Sequence, residues 1–287
     1  MQNMLADVIL TFNRPFLLER ILATIRLQNI PKDQLKVYIV DSGTEDRPHL
    51  WEKDYVEDIR GLSTPEVVEE FFASSGVKGL YIKLGNDSWK PQSRFWNFVI
   101  KHFVTEPYLV LQGGEVALLD SNLLNEALEL AKGLHLAWAP YWREVYPVFD
   151  KLNVNDFLLY TKRLNENLSY TGLEFSGRRR RVPVPYFVSF PRDYFIKIRG
   201  FEEYAFVVEW NTDFDFIIRL KRSGLKLVPT KGTVLHQRHV MGYQYSTTQK
   251  RFCNRVFKKR VKLRVIEANS GKPWGEPIEV EEVREWN

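Results

Sequence analysis

Several acidic residues and one histidine stand next to short apolar runs, where a folded chain would place them at the edge of a sheet. Asp41 ends one run, Glu115 and His236 follow two others, and Asp213 and Asp215 open a helical pattern. A carboxylate at a strand end can accept hydrogen bonds from a nucleoside, carboxylate and imidazole can bind Mg²⁺ or Mn²⁺, and a carboxylate can take a proton. The same acids could also cap a helix or lie on a turn. The residue types therefore permit nucleotide chemistry without requiring it.

The elements that would position these residues begin with an α/β unit. Residues 8–11 and 37–40 are apolar runs, and residues 16–27 between them carry apolar side chains at helical spacing. A strand, a crossover helix and a parallel strand are the natural arrangement. Ligands gather at the carboxyl ends of such strands, which here are followed by residues 12–15 and 41–46.

The rest of the chain continues the alternation. Further strands are predicted at GLYIKL, YLVL, LHLAWAP, PYFVSF, LKLVP and TVL, and helices at residues 93–103, 120–132 and from 213 to Gly224. The tail pairs KLRVIEA with PIEVEEV about a turn, which predicts a β-hairpin. The fold class is therefore α/β, with a Rossmann-like, mixed and mostly parallel sheet flanked by helices and a C-terminal helical and β-hairpin extension.

Composition and length favour a single globular enzyme. The chain has 287 residues, of which 44% are hydrophobic and one is cysteine, so Cys253 has no partner for a disulfide within the chain. The apolar runs are far shorter than the ~20 residues of a spanning helix. We therefore expect a cytoplasmic protein, with peripheral contact at a membrane as an open alternative.

The net charge of +5 is unevenly distributed. Positive side chains are concentrated from Arg178 to Arg181 and from Lys250 to Arg264. These clusters are either a solvated surface or the contact for an anionic partner, which could be a donor diphosphate, an acidic acceptor, a membrane surface or nucleic acid.

The order of motifs from about residue 5 to residue 260 resembles glycosyltransferase family 2, whose members have the GT-A fold. The segments that carry this resemblance are DVILTFNRPFLLERILATIRLQ, YIVDSGTED, QSRFWNFVIKHFVTEPYLVLQGGEV, PYFVSFPRDYFIKIRGFEE, EWNTDFDFIIRLKRSGLKLVP, TVLHQRH and QKRFCNRVFKKR. The resemblance implies a catalytic domain over residues 1–260, with a donor half to about 118 and an acceptor half from 119, followed by the extension at 261–287.

The resemblance also implies a nucleoside-diphosphate sugar donor, such as a UDP- or GDP-sugar. Matching positions assign donor binding to Thr11, Asn13, Arg14, Asp41, Ser42, Gly43, Arg94, Asn97, Gly113 and Gly114. The metal ligands would be Glu115 and His236, with His239 close enough to compete for the second position. Gly113 stands where the family has the first acid of its D-x-D motif, so the need for Mn²⁺ or Mg²⁺ stays open.

On the acceptor side, the resemblance places Asp213 at the catalytic base. Thr212 replaces the acid that usually precedes it, and Glu209, Trp210 and Asp215 are expected beside the acceptor. The implied reaction inverts the anomeric carbon while an acceptor hydroxyl displaces the nucleoside diphosphate. A glycan, a lipid-linked molecule or another hydroxyl compound could be that acceptor.

Three other functions stay open. A sugar nucleotidyltransferase would have a similar nucleotide-binding half, but TFNRPF lacks its Gly-rich phosphate loop. A non-catalytic protein that binds a nucleotide sugar or glycan would explain the missing acid at Gly113. Nucleic-acid binding would use the basic tail, although no nucleic-acid module is recognisable.

Overall fold

Strands that are buried on both faces determine the architecture. The computed structural model describes residues 3–12, 14–42, 62–85, 92–144, 152–166, 173–176, 186–237 and 245–287. Within these ranges the strands are β1 (Leu5–Thr11), β2 (Leu35–Asp41), β3 (Lys78–Leu84), β4 (Tyr108–Gly113), β5 (Val116–Leu118), β6 (His135–Trp138), β7 (Tyr141–Glu144), β8 (Leu173–Ser176), β9 (Phe187–Pro191), β10 (Lys226–Pro229), β11 (Val234–His236) and β12 (Val280–Trp286).

The helices of the same ranges connect and cover these strands. They are α1 (Pro15–Arg26), α2 (Thr64–Ser75), α3 (Gln92–His102), α4 (Leu123–Lys132), α5 (Val154–Glu166), α6 (Arg192–Lys197), α7 (Thr212–Arg222) and α8 (Thr247–Lys262), with a 3₁₀ turn at Lys32–Gln34. No helix in this part of the chain has both the length and the apolar composition needed to cross a bilayer.

The main sheet is mixed and mostly parallel. In the described ranges its order is β10-β6-β9-β4-β1-β2-β3-β12. The strands β4, β1, β2 and β3 run parallel, and β10 is parallel to β6. β9 lies antiparallel between β4 and β6, and β12 is antiparallel to β3. The predicted α/β class with a mixed, mostly parallel sheet is confirmed.

Two helical layers cover the sheet because successive side chains of β1 point to opposite faces. Leu5 and Ile9 pack in the core with α1, α2 and α4. Ala6, Val8 and Leu10 pack in a second core with α3, α6 and α7. With both faces covered, polar ligand chemistry is restricted to the ends of the strands.

A small second sheet brings two distant motifs together. Its order is β5-β11-β7-β8, and β11 is antiparallel to β5. Because β5 continues from β4 through Gly114 and Glu115, this pairing places His236 opposite Val116. The glutamate of the GGE turn and the histidine of TVLHQRH are thereby neighbours in space.

The prediction of a C-terminal β-hairpin is wrong. Its first run lies at the end of α8 and in the irregular segment that follows, while its second run contributes β12, which extends the main sheet beside β3. Each run instead contacts other parts of the fold. The Ala268 backbone N–H donates to the Ile198 carbonyl at 2.9 Å, and Trp286 stacks on Phe72 with ring centroids 4.4 Å apart.

Candidate active site

The carboxyl edge of β1 and β2 presents three polar side chains. Thr11 and Asp41 are register partners, and the Ser42 backbone N–H donates to the Thr11 carbonyl at 3.1 Å. The Tyr81 hydroxyl donates to Asp41 Oδ2 at 3.3 Å. The Thr11 and Ser42 hydroxyls are buried and have no hydrogen-bond partner in the described part of the chain. Buried polar groups are nearly always paired, so this edge has hydroxyls that a ligand would satisfy.

The two glycines before Glu115 lie in a closely packed turn, and the backbone of β1 makes glycine necessary at position 114. A Cβ on Gly114 would lie 2.4 Å from the Leu10 carbonyl oxygen, so only glycine fits against the end of β1. A Cβ on Gly113 would lie 2.9 Å from Oε1 of Glu115. The Glu115 carboxylate therefore occupies the space that a side chain at position 113 would enter. One long acid stands in this turn where the D-x-D motif has two shorter ones.

Glu115 lies between a cation and an imidazole. Its Oε2 is 3.8 Å from Nη1 of Arg14, and its Oε1 is 3.7 Å from Nε2 of His236. The Tyr186 ring packs 4.3 Å from the His236 ring, and the Tyr186 carbonyl accepts from the Gly113 N–H at 3.0 Å. Contacts from Arg14 just before α1, from Tyr186 just before β9 and from His236 in β11 thus converge on this turn.

These residues fit an open metal site with two protein ligands. Among the described residues, no three or more His, Cys, Asp or Glu side chains are grouped so that they could hold an ion. The 3.7 Å between Glu115 Oε1 and His236 Nε2 is nevertheless a separation that one ion bound at ~2.1 Å from each atom could bridge. Oxygens of a bound diphosphate and water would have to complete the coordination.

Asp213 lies in the first turn of α7, half-buried and facing other acids. The helix starts after Asn211, whose φ of 71° is left-handed, so the chain turns sharply just before the acid. Burial, and next the Glu209 carboxylate, raise the pKa of Asp213 to about 7, with Glu115 adding to the effect and a Thr212 hydrogen bond opposing it. The predicted base therefore lies within electrostatic reach of the predicted metal ligand.

Glu209 connects the starts of two helices. Its carboxylate accepts from the Ser93 backbone N–H at 3.0 Å, from the Ser93 hydroxyl at 2.9 Å and from the Thr212 hydroxyl at 2.7 Å. Burial raises the pKa of Glu209 although these donors oppose it. With three donors holding it, Glu209 is less free than Asp213 to reach an acceptor.

Asp215 is in a different environment, although it lies only two residues further on. Arg219 Nε donates to its Oδ2 at 2.7 Å, and Arg260 Nε donates to its Oδ1 at 2.8 Å. Burial would raise the pKa of Asp215, but the two guanidinium groups lower it. Arg260 also contacts Glu202 at 2.8 Å. Asp215 is therefore part of a buried ion-pair network with Arg219 and Arg260.

Two residues that are predicted to bind the donor, Asn97 and Arg94, contact the loop around Phe201 and Glu203. The Asn97 amide donates to the Phe201 carbonyl at 2.9 Å and accepts from the Phe201 N–H at 2.7 Å. Arg94 Nε lies 3.8 Å from Oε2 of Glu203. Gly200, with φ of 62°, allows this approach, since a Cβ there would lie 2.0 Å from Asn97 Oδ1. Direct donor binding by Asn97 would break these hydrogen bonds.

The half-exposed Trp210 is held by α8. Asn254 Oδ1 accepts from Trp210 Nε1 at 3.2 Å and from the Asn211 amide at 2.7 Å. The sequence did not predict a role for four residues that contact the candidate site residues, namely Asn254, Arg260, Ser93 and Tyr186. The segment QKRFCNRVFKKR contains two of them, but its pattern did not indicate what they contact.

Some predicted residues lie outside the described ranges. They are Asn13, Gly43, His239 and the run from Arg178 to Arg181. The other predicted donor, metal and base residues, apart from Arg94 and Asn97, meet around the ends of β1, β2, β4 and β11 and the start of α7.

No family model and no curated protein sequence matches this chain. Among solved structures it is similar to mannosyltransferase PcManGT from Pyrobaculum calidifontis in complex with GDP-Man and Mn²⁺, with a TM-score of 0.55 and 14% identity over 90% of this chain and 64% of that chain. It is also similar to S. aureus TarS 1–349 in complex with UDP, with a TM-score of 0.54 and 12% identity over 90% of this chain and 65% of that chain.

These likenesses concern architecture. The chain spans only 64% and 65% of the two matched chains, and the sequence identity is low. The protein has the fold of these two glycosyltransferases, which confirms the GT-A-like fold that the motif order predicted. Its activity has to be argued from the site.

Proposed function

We propose that this protein transfers a sugar from a nucleoside-diphosphate donor to an acceptor hydroxyl, with inversion at the anomeric carbon and Asp213 as general base. The observation that carries the proposal is the half-buried Asp213 carboxylate, whose pKa is raised to about 7 and which lies within electrostatic reach of Glu115. A base works best when its pKa lies near the working pH, because it is then both available and strong enough to take a proton.

The donor would bind at the edge formed by Thr11, Asp41 and Ser42. Their position at the carboxyl ends of β1 and β2 is where such sheets bind nucleotides. The buried Thr11 and Ser42 hydroxyls would gain hydrogen-bond partners from the nucleoside. Gly114 lets the turn between β4 and β5 pack closely against the end of β1. The similar structures that contain GDP-Man and UDP support a nucleotide sugar as the class of donor.

The leaving diphosphate needs positive charge beside it. Arg14 lies on one side of Glu115, and Glu115 with His236 would hold a divalent ion on the other. Such an ion would neutralise the developing charge on the diphosphate. Since two protein ligands alone are a weak cage, we expect Mn²⁺ or Mg²⁺ to bind only together with the diphosphate.

A non-catalytic nucleotide-sugar binder is the second candidate. The observation that favours it is the single acid of the GGE turn, with Glu115 filling the space at Gly113. The raised pKa of Asp213 favours the enzyme over the binder, because a pure binding site gains nothing from a carboxylate that is half protonated near neutral pH.

Thermal unfolding with a panel of nucleotide sugars tests the donor site directly. A true donor stabilises the native state by mass action, and ligand at 100 times Kd adds about 2.7 kcal/mol. We expect the shift to grow with Mn²⁺ and to be reduced in Asp41→Ala. If EDTA leaves the shift unchanged, the site works without metal.

The transfer itself needs a separate test. With the donor identified, acceptors are screened by release of the nucleoside diphosphate, and NMR of the product reports the anomeric configuration. A donor that binds without transfer to any hydroxyl class would support the binding protein, and a retained configuration would contradict the role of Asp213.

A further inference from the structure

Helix α8 exposes a face made of positive side chains. We define the basic face as Arg251, Arg255, Lys258, Lys259 and Lys262, all of which are exposed. Residues 251, 255, 258 and 262 follow the spacing i, i+4, i+7 and i+11, which keeps them on one side of a helix. Residues 247–264 contain no acid. Within the described ranges none of the five forms an ion pair.

The other side of α8 attaches the helix to the protein. Cys253 is fully buried, and Arg260 points inward to Asp215 and Glu202. The Ser246 hydroxyl and the Gln249 side chain form a capping box that fixes the start of the helix. The basic face is therefore presented by a firmly docked helix and is not needed to hold it in place.

Exposed apolar side chains flank the basic face. Phe252 is 38% exposed and Leu263 is 63% exposed, and they lie eleven residues apart on the same side of the helix axis. Ile266, just beyond the helix, is 40% exposed. On the opposite flank Trp210 packs under Lys250, whose Nζ is 5.0 Å from the ring centroid.

This combination fits a lipid surface better than a nucleic acid. Anionic headgroups attract a cluster of Lys and Arg side chains, and apolar side chains beside the cluster gain free energy by entering the boundary of the acyl chains. Trp and Phe side chains favour that same boundary. A single-stranded nucleic acid would use aromatic rings for stacking, but Leu263 and Ile266 have no ring to offer.

We propose that α8 docks this protein on the surface of an anionic lipid bilayer through the basic face, with Phe252 and Leu263 inserted beside it. The inference does not depend on the transferase function, because lipid binding needs neither donor nor acceptor. Asn254 on the same helix holds Trp210 and Asn211, so the loop before Asp213 lies next to the docked surface.

Co-sedimentation with vesicles tests the proposal. The parent protein should bind vesicles that mix phosphatidylcholine with phosphatidylglycerol and should not bind phosphatidylcholine alone. Each Lys or Arg at a charged membrane contributes roughly a fivefold factor, so Lys258→Gln with Lys259→Gln and Lys262→Gln should weaken binding about a hundredfold. Glutamine keeps a good helix propensity. Raising the salt to about 0.5 M should also release the parent, since it shortens the screening length.

The matched control removes three exposed lysines from other elements, namely Lys78, Lys226 and Lys231, each changed to Gln. It alters the net charge equally and should bind vesicles like the parent. Equal loss in the control and the α8 variant would mean that only overall charge matters and would overturn the proposal. Thermal unfolding of each variant shows that it is folded.

A second variant separates lipid from a general polyanion. Phe252→Gln with Leu263→Gln keeps every charge, so it should weaken vesicle binding about tenfold or more and leave binding to single-stranded RNA unchanged. If the variant binds vesicles like the parent, or if the parent binds RNA and not vesicles, the basic face is a polyanion site and lipid docking is wrong.

Discussion

Two acids near the start of α7, Asp213 and Asp215, have pKa values that are shifted in opposite directions. Burial, and next the charges of Glu209 and Glu115, raise the pKa of Asp213 to about 7. Asp215 faces Arg219 and Arg260, and its pKa is lowered. The acid that is surrounded by other acids can exchange a proton near neutral pH, whereas the acid that is paired with cations stays ionised and stabilises the fold. The balance of neighbouring charge, more than the position in the chain, separates the proposed base from a structural acid.

The strongest test of this comparison is Asp213→Asn, which keeps the shape of the side chain and removes its basicity. Loss of a general base typically costs ~10²–10⁴ in rate. We expect turnover to fall by this factor while donor binding, measured by calorimetry, stays near the parental affinity. Parental turnover in this variant would move the base to Glu209 or Asp215.

The matched change Asp215→Asn should act on stability. Removing one partner of a buried ion pair leaves Arg219 without its carboxylate, while Arg260 keeps Glu202, and such a loss typically costs about 3–5 kcal/mol. The free energy of unfolding, measured by urea denaturation, should fall by this amount, and the folded fraction should retain most of its transfer activity. A variant that is fully stable but inactive would contradict the assignment.

Asp7 is a third buried acid, which is neither the proposed general base nor part of an ion pair in the described residues. It is fully buried in β1 between Val37 and Val110, its carboxylate oxygens have no hydrogen-bond partner in the described residues, and burial raises its pKa to about 8. The unfolded chain releases this proton at a lower pH than the folded one, so stability should fall as pH rises from about 4 to about 8.

Asp7→Asn removes that titration. The free energy of unfolding of the variant, relative to that of the parent, should therefore increase between pH 5 and pH 8 by an amount of order 1–3 kcal/mol. The Tm of the variant relative to that of the parent should increase over the same pH range. If the difference does not vary with pH, Asp7 has a partner that stabilises its charge.

The smallest effect is expected from Glu209→Gln, which tests how Glu209 influences Asp213. Because its charge raises the pKa of Asp213, Glu209→Gln should lower that pKa and shift the acid limb of the kcat profile to lower pH. Lys231→Gln, which lies on a different surface, serves as a control and should leave the limb in place. An unchanged limb in Glu209→Gln would show that the limb does not report on Asp213.

Local patterns were sufficient to predict several of the elements that carry the candidate residues. The apolar runs before Asp41, Glu115 and His236 form strands. The strands before Asp41 and Glu115 are parallel strands of the main sheet and end at the same edge, whereas His236 reaches the site through the second sheet. The helix predicted from residue 213 to Gly224 was also recognisable from its local pattern, and it forms as α7, which ends two residues before Gly224. Such signals are read from neighbouring residues, so a single sequence is enough to find them.

The C-terminal segment shows where local patterns fail. The alternation of PIEVEEV correctly indicates a strand, but its partner is β3, about 200 residues earlier in the chain. An exposed sheet edge offers hydrogen bonds to any extended segment, and no local feature of the sequence states which edge is free. The hairpin prediction paired the strand with its nearest neighbour for this reason.

The sequence by itself determined which residues could do chemistry: Asp41, Glu115, Asp213 and His236 each stand at the end of an element that its own pattern predicts. Only the tertiary structure decided what each acid does. Asp213 and Asp215 have the same side chain and lie two residues apart in one helix, yet the charges of Glu209 and Glu115 act on the first while Arg260, from a different helix, pairs with the second. A pKa depends on charges and burial in three dimensions, and those neighbours come from parts of the chain that spacing along the sequence does not connect.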